Sequence, residues 1–426
     1  MEHRDCKKKC AGLNLRLTGK DNPHENLTFG TYVAISNHRS LVWFVLASSG
    51  LNLPPNADAA ILYRNVDGAL VPAIRIPPDP KFPFPSTGSA SHDFSYLTIV
   101  DENGLGATQI RVFSAPDLLA GNLTPKLIIP QSEDIVPTFI IQGKFILGNG
   151  LSTLTYVPAA PLPIPDANST LRILDLNTGE TLVLMPLTGY SNDGGYLFYH
   201  KEKLYLVVGT TGQSIRVGGG GSSMNPVYLN IYRFNGSVLT QIIKQPVPKI
   251  INAIDIPVKS DDPCITLIAI GMGRATPPGV IDLHDTPGTN FTGETSGARV
   301  YQFDGKHLCI AASVTPGDAV GSVSFSPTAR YLATIFHTSS ADPAVNDLDE
   351  LLVYRLEPGS DPQLESIHTS PKCCQTFCMK LAAQAPVPSF GFYSQFSSNG
   401  KWFVSQGNYL ATGTIADVAL FRVDQD

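Results

Sequence analysis

One unit recurs along this chain and restricts its fold more than any other feature: an apolar strand, a tight polar turn and an apolar return strand. Tyr32-Val-Ala-Ile-Ser36 turns at Asn37-His-Arg-Ser40 into Leu41-Val-Trp-Phe-Val-Leu46. Ser322-Val-Ser-Phe-Ser326 turns at Pro327-Thr-Ala-Arg330 into Tyr331-Leu-Ala-Thr-Ile335. Phe392-Tyr-Ser-Gln-Phe396 passes through Ser397-Ser-Asn-Gly400 into Lys401-Trp-Phe-Val404. Weaker copies centre on His92-Asp-Phe-Ser95, Gln142-Gly143, His200-Lys-Glu-Lys203 and Lys259-Ser-Asp-Asp262, which brings the count to seven. Glycine (37) and proline (34) are scattered throughout, which argues against long helices and for short strands joined by turns.

A third strand follows each hairpin after a variable loop, as in Ala60-Ile-Leu-Tyr-Arg64, Gln109-Ile-Arg-Val-Phe113, Ala298-Arg-Val-Tyr-Gln302 and Leu351-Leu-Val-Tyr-Arg355. Short turns such as Val66-Asp-Gly68 and Asn177-Thr-Gly179 then lead to a fourth strand, with Gly supplying the positive φ that such turns need. Four antiparallel strands repeated roughly every 60 residues predict an all-β fold, a single β-propeller of seven blades. The expected blades span about 29–77, 84–130, 135–188, 190–247, 249–315, 319–370 and 386–426. The last unit stops at Arg422-Val-Asp-Gln-Asp426, just after its third strand. Behind a tail of residues 1–11, Leu13-Asn-Leu-Arg-Leu-Thr18 alternates apolar and polar residues. The expectation is that residues 12–18 supply the missing strand, closing the ring and removing an exposed sheet edge.

Phe325-Ser-Pro327 before Tyr331-Leu-Ala-Thr334, and Phe396-Ser-Ser-Asn-Gly400 before Trp402, resemble the hairpins of WD40-like and lactonase-like (YVTN-type) propellers. The resemblance is clearest over residues 320–426. The Trp-Asp and Gly-His signatures of true WD40 repeats are absent, so it implies architecture and no activity.

Charged residues make up only 15% of the chain, against roughly 25% in an ordinary soluble domain. A surface partly covered by other proteins would account for this, because desolvating charge is costly. A net charge of −6, with one short basic run at Lys7-Lys8-Lys9, argues against nucleic acid. No apolar run approaches the ~18 residues of a membrane span. The N-terminal residues lack the apolar run of a signal peptide, so the expectation is cytoplasmic synthesis with the destination open, a particle included.

Gly271-Met-Gly273 follows an apolar strand as a dinucleotide turn would, but Thr276 and Pro277-Pro278 replace the third glycine and the helix. No cofactor is expected. Asp282, His284 and Asp285, with Asp342, Asp347, Asp349 and Glu350 in the equivalent loop of the next blade, are the candidate oxygen-rich metal site. Cys6, Cys10, Cys373, Cys374 and Cys378 are candidates for disulfides or free thiols. Cys264 and Cys309 fall on the second and fourth strands of one blade, about 9.6 Å apart, and are expected to be buried as small hydrophobes. Asn-x-Ser/Thr sequons stand at Asn26, Asn122, Asn168, Asn235 and Asn290.

Residues 48–58, 155–169, 209–226, 271–297 and 337–349 all join second to third strands and should crowd one face. Their Pro-, Gly- and Thr-rich composition suits recognition more than catalysis. The expected function is therefore a non-catalytic protein–protein interaction or scaffold propeller, as an oligomer or a component of a virion or other large assembly. The alternative is a lactonase-like hydrolase with its site at the mouth of the central channel. The inner strands offer it few charges, Asp255 being one.

Overall fold

The computed structural model describes residues 13–24, 28–36, 40–48, 58–91, 93–103, 108–131, 135–141, 145–151, 169–187, 195–211, 227–248, 251–257, 264–272, 297–314, 319–337, 349–359, 376–387, 393–408 and 416–425. After β1 (Leu13–His24), strands gather into four-stranded antiparallel sheets in chain order. The first holds β2 (Thr28–Ile35), β3 (Leu41–Ser48), β4 (Ala60–Val66) and β5 (Ala69–Ile76). The next holds β6 (Phe84–Ala90), β7 (Tyr96–Glu102), β8 (Thr108–Ser114) and β9 (Leu127–Gln131). Then come β10 (Ile135–Ile141), β11 (Phe145–Leu151), β12 (Ser169–Asp175) and β13 (Thr181–Leu187). A further sheet is β14 (Gly195–His200), β15 (Lys203–Thr211), β16 (Val227–Phe234) and β17 (Leu239–Val247). It is followed by β18 (Ile251–Asp255), β19 (Thr266–Met272), β20 (Gly297–Phe303) and β21 (Leu308–Val314). Another is β22 (Ala319–Phe325), β23 (Tyr331–His337), β24 (Asp349–Pro358) and β25 (Phe377–Val387). β26 (Ser394–Phe396), β27 (Trp402–Asn408) and β28 (Ala416–Gln425) make a sheet with β1 as its outer strand. The fold is a β-propeller of four-stranded antiparallel blades.

The repeated hairpin has one physical cause in four sheets. The hydroxyls of Ser36, Ser91, Ser326 and Ser397 accept the N–H of Leu41, Tyr96, Tyr331 and Trp402, each at 3.0 Å. The same serines donate their own N–H to the carbonyls of those four residues. Serine is the side chain short enough to reach its own turn in this way. Each of these turns places a residue at positive φ: Ser40 (50°), Phe94 (57°), Ala329 (55°) and Gly400 (66°).

Alternation along the middle strands does not separate core from solvent. β19 and β20 are buried at every position, because a neighbouring sheet covers each face. Phe403, Ala419 and Phe421 pack with Ala333, Ile335, Leu351 and Val353 on one side. Val404, Val418 and Leu420, one residue out of phase, pack with Val33, Val42, Phe44 and Ile61 on the other. Each such Val, Leu, Ile or Phe side chain contributes about 1.5–3 kcal/mol of burial. The outer strand β17 is exposed on most positions.

Three expectations need correction. The N-terminal strand is longer than residues 12–18: β1 runs to His24, pairing antiparallel with β28 from Leu13↔Gln425 to His24↔Ala416. Bulges between Leu17 and Gly19 and between Asp21 and His24 carry it past the point where the alternation fails. The fourth strand of the sixth unit is β25, with Glu357 opposite Cys378, so that unit extends beyond residue 370. The apolar run from Phe377 fills the position, not the polar residues before it. A short helix, α1 (Ala115–Leu119), separates β8 from β9 where a tight turn was expected. Ser114 caps it and Pro116 fixes its first turn.

Candidate functional site at the ends of the first strands

The first strands of successive sheets touch one another: β2 contacts β6 and β26, β10 contacts β6 and β14, and β18 contacts β14 and β22. β22 also contacts β26. Such strands present one backbone edge to the axis, where no further strand pairs with it. The groups that satisfy this edge belong to the neighbouring sheet. Asp255 Oδ2 accepts the N–H of Phe325 at 2.6 Å. Ser324 Oγ accepts the N–H of Phe396 at 3.2 Å, and Gln395 Oε1 accepts that of Ile35 at 2.9 Å. Asp255, Ser324 and Gln395 occupy the same position, at the end of the first strand of three consecutive sheets. The next step round changes chemistry: Ala34 has no acceptor, and Tyr32 Oη accepts the N–H of Ala90 at 3.2 Å instead.

Three further contacts complete the cluster. Ser322 and Ser394 share a 2.7 Å hydrogen bond between hydroxyls, and the Tyr32 and Tyr393 rings lie 5.2 Å apart, tilted by 57°. Tyr196 Oη donates to the Ile256 carbonyl at 3.3 Å. Tyr32, Asp255, Tyr393 and Gln395 stay partly exposed, as residues lining a lumen do. Burial nonetheless pushes the Asp255 carboxyl up from 3.8 to about 7, against hydrogen bonds from the Phe325 and Ile256 backbone. Burial and the charge of Asp255 together raise the Tyr196 phenol well above its ordinary range.

Other buried polar groups also tie the sheets together. Arg111 grips Asp101 through Nε–Oδ2 at 2.5 Å and Nη2–Oδ1 at 2.9 Å, and reaches the Pro77 carbonyl with Nη1. Burial raises the Asp101 carboxyl, and the Arg111 guanidinium opposes that shift. His200 Nδ1 lies 3.0 Å from Thr266 Oγ1 in the next sheet, and burial lowers the imidazole below its usual value.

The residues singled out from sequence are not brought to this cluster. Asp282, His284, Asp285, Asp342 and Asp347 lie outside the described residues, while Asp349 and Glu350 begin β24 and are not loop acids. Among the described residues no group of three or more His, Cys, Asp or Glu is placed to hold a metal ion. Cys6, Cys10, Cys373 and Cys374 also lie outside them; Cys378 sits in β25 and is disulfide-bonded. Cys309 in β21 is buried as expected but is disulfide-bonded, and Cys264 is exposed just before β19 rather than buried on it. Their outer-strand and turn positions explain this, since both lie away from the doubly covered middle strands. Gly271 is explained by packing: a Cβ there would meet Val320 Cγ1 at 2.8 Å and the Val320 carbonyl oxygen at 3.0 Å. Sequons Asn122 and Asn235 stand in exposed turns, their Oδ1 atoms accepting the N–H of Thr124 and Ser237.

The blade-to-blade acceptors were hidden from sequence reasoning. Asp255, Ser324 and Gln395, three residue types about 70 positions apart, perform one task, and only the hairpin register could have aligned them.

No family model matches the chain, and no curated protein matches it by sequence. Solved structures do match its fold. The RRP9 WD40 repeats superpose with a TM-score of 0.56 at 10% identity, over 96% of this chain and 100% of that one. A chain of the mitotic checkpoint complex gives 0.55 at 11% identity, over 100% and 97%. A chain of Kuenenia stuttgartiensis hydrazine synthase gives 0.54 at 10%, over 95% and 97%. At these identities the likeness is one of fold alone, that of a β-propeller.

Proposed function

We propose that this chain is a non-catalytic interaction scaffold, a closed ring of seven blades in which β1 completes the last. The pairing of β1 with β28 supports the closure, as does contact of β2 with β26 and β27. The observation that carries the functional reading is where the polar groups of the first strands are spent. The Asp255, Ser324, Gln395 and Tyr32 acceptors all hold backbone N–H groups of the next sheet. They are structural links, and a nucleophile or general base would need that capacity for its substrate. Hydrazine synthase has the same fold, so fold alone does not decide between scaffold and enzyme.

Antiparallel topology puts the second-to-third strand connections at the opposite end of every sheet from Asp255. Most of the long connections of the chain are of this kind, the one between β24 and β25 excepted, and we assign partner binding to that end. A chain in the mitotic checkpoint complex and the RRP9 WD40 repeats share the fold, which suits a role among protein partners. Nothing in the fold selects a virion over another assembly.

Replacing the connections 212–226 and 273–296 with short Gly-Ser linkers tests the assignment. Co-sedimentation of partners from the native source should persist for the intact chain and fail for the shortened one, with the fold unchanged by circular dichroism. Equal recovery of partners by both chains would refute it.

A further inference from the structure

We propose that Asn122 and Asn235 are acceptors for N-linked glycans, and that the end of the propeller bearing them is turned to solvent. Asn122-Leu-Thr124 and Asn235-Gly-Ser237 both match the Asn-x-Ser/Thr pattern. Such triplets also arise by chance, and geometry distinguishes these two. Every residue of both is exposed. Asn122 Oδ1 accepts the Thr124 N–H at 3.0 Å. Asn235 Oδ1 accepts the N–H of Ser237 at 3.1 Å and of Val238 at 2.9 Å, and the Ser237 hydroxyl at 3.4 Å. These bonds fix each amide by its oxygen and leave Nδ2, the atom that takes the sugar, without a partner among the described residues. A Cβ on Gly121 or Gly236, the residues beside the two amides, would meet nothing within 4 Å. Each turn therefore has room for a branched substituent.

An independent observation concerns the setting. Cys309 and Cys378 are disulfide-bonded, and such bonds persist in oxidising compartments, where N-glycosylated proteins are also found. Topology then gives the two sites one orientation. Asn122 lies between β8 and β9 and Asn235 between β16 and β17, both third-to-fourth strand connections. Antiparallel order puts these at the end of the first-to-second hairpins, away from the connections to which partner binding is assigned. Glycans there leave those connections clear and solubilise a chain with only 15% charged residues. In the transfer, Nδ2 attacks the anomeric carbon of a lipid-diphosphate-linked oligosaccharide. A carbon–nitrogen bond forms, the carbon–oxygen bond to the diphosphate breaks, one amide proton is lost and the lipid diphosphate leaves.

Peptide mapping of the full chain from its own source tests both sites. The peptides holding Asn122 and Asn235 should each be heavier than their sequence by one glycan. After a peptide N-glycosidase in heavy-oxygen water, each should return with Asp in place of Asn and one heavy oxygen atom. Asn177, exposed in the equivalent β12–β13 turn but outside any such triplet, should keep its sequence mass throughout. Either peptide at its sequence mass before digestion overturns the assignment of that site, and both at sequence mass overturn the proposal.

Discussion

Asp255 in β18 and Phe325 in β22 lie 70 positions apart in sequence and share a 2.6 Å hydrogen bond across a sheet boundary. The relation repeats one sheet further on, between Ser324 and Phe396, and again between Gln395 and Ile35. A first strand has one edge without a partner strand, and these side chains cap it. The seams therefore have polar as well as apolar content, and each depends on one residue.

The first prediction concerns pH. The Asp255 carboxyl is raised from 3.8 to about 7 in the fold. Between those values the folded chain holds a proton that the unfolded chain has released, so this group makes stability fall as pH rises through that window. Above it the loss is complete and the contribution flat. Urea unfolding should show this as a loss of roughly 1–4 kcal/mol between pH 4 and pH 8. Asp255→Asn should remove that part of the slope and be the more stable chain at pH 8.

A second prediction concerns close approach of sheets. Gly271 leaves no room for a methyl group against Val320, so Gly271→Ala should cost about 1–3 kcal/mol. Gly271→Ala with Val320→Ala should recover part of that loss in thermal unfolding. Retention of full stability by the single variant would refute the packing account of this glycine.

The third concerns the ion pair of Asp101 and Arg111, both nearly inaccessible to solvent. Removing one partner strands the other, so Arg111→Met should cost about 3–5 kcal/mol. Changing both, as Asp101→Leu with Arg111→Met, should cost less than the single change. Denaturant midpoints of the three chains test it.

Cysteine oxidation gives a fourth. Cys309 and Cys378 are disulfide-bonded, and Cys264 is exposed. Alkylation of the unfolded chain without reductant should spare Cys309 and Cys378, and reduction should expose both. Peptide mass mapping reads this directly.

Much of the architecture is legible in sequence, because its signals are local. Ser326 and Tyr331, or Ser397 and Trp402, lie five residues apart and declare their hairpin by type and spacing. The N-terminal strand declares itself over Leu13–Thr18, but its continuation to His24 rests on bulges that no alternation encodes. β25 is not legible as the fourth strand of its sheet because the segment joining it to β24 is long. α1 is too short to show a helical period, although Ser114-Ala-Pro-Asp117 is a cap signal in hindsight. The seam acceptors were not legible at all. Asp255 is visible as a charge in an apolar strand, but its partner is a backbone amide, which leaves no mark in the residue type of Phe325.

Native mass spectrometry of the protein from its own source tests the scaffold reading most directly. The account predicts a stable species heavier than the 45.7 kDa chain, with a second protein or further copies as the added mass. That mass should be lost when the connections 212–226 and 273–296 are replaced. A bare 45.7 kDa chain that hydrolyses a lactone or carries a stoichiometric metal ion would contradict the account and place the chain among the enzymes of its fold.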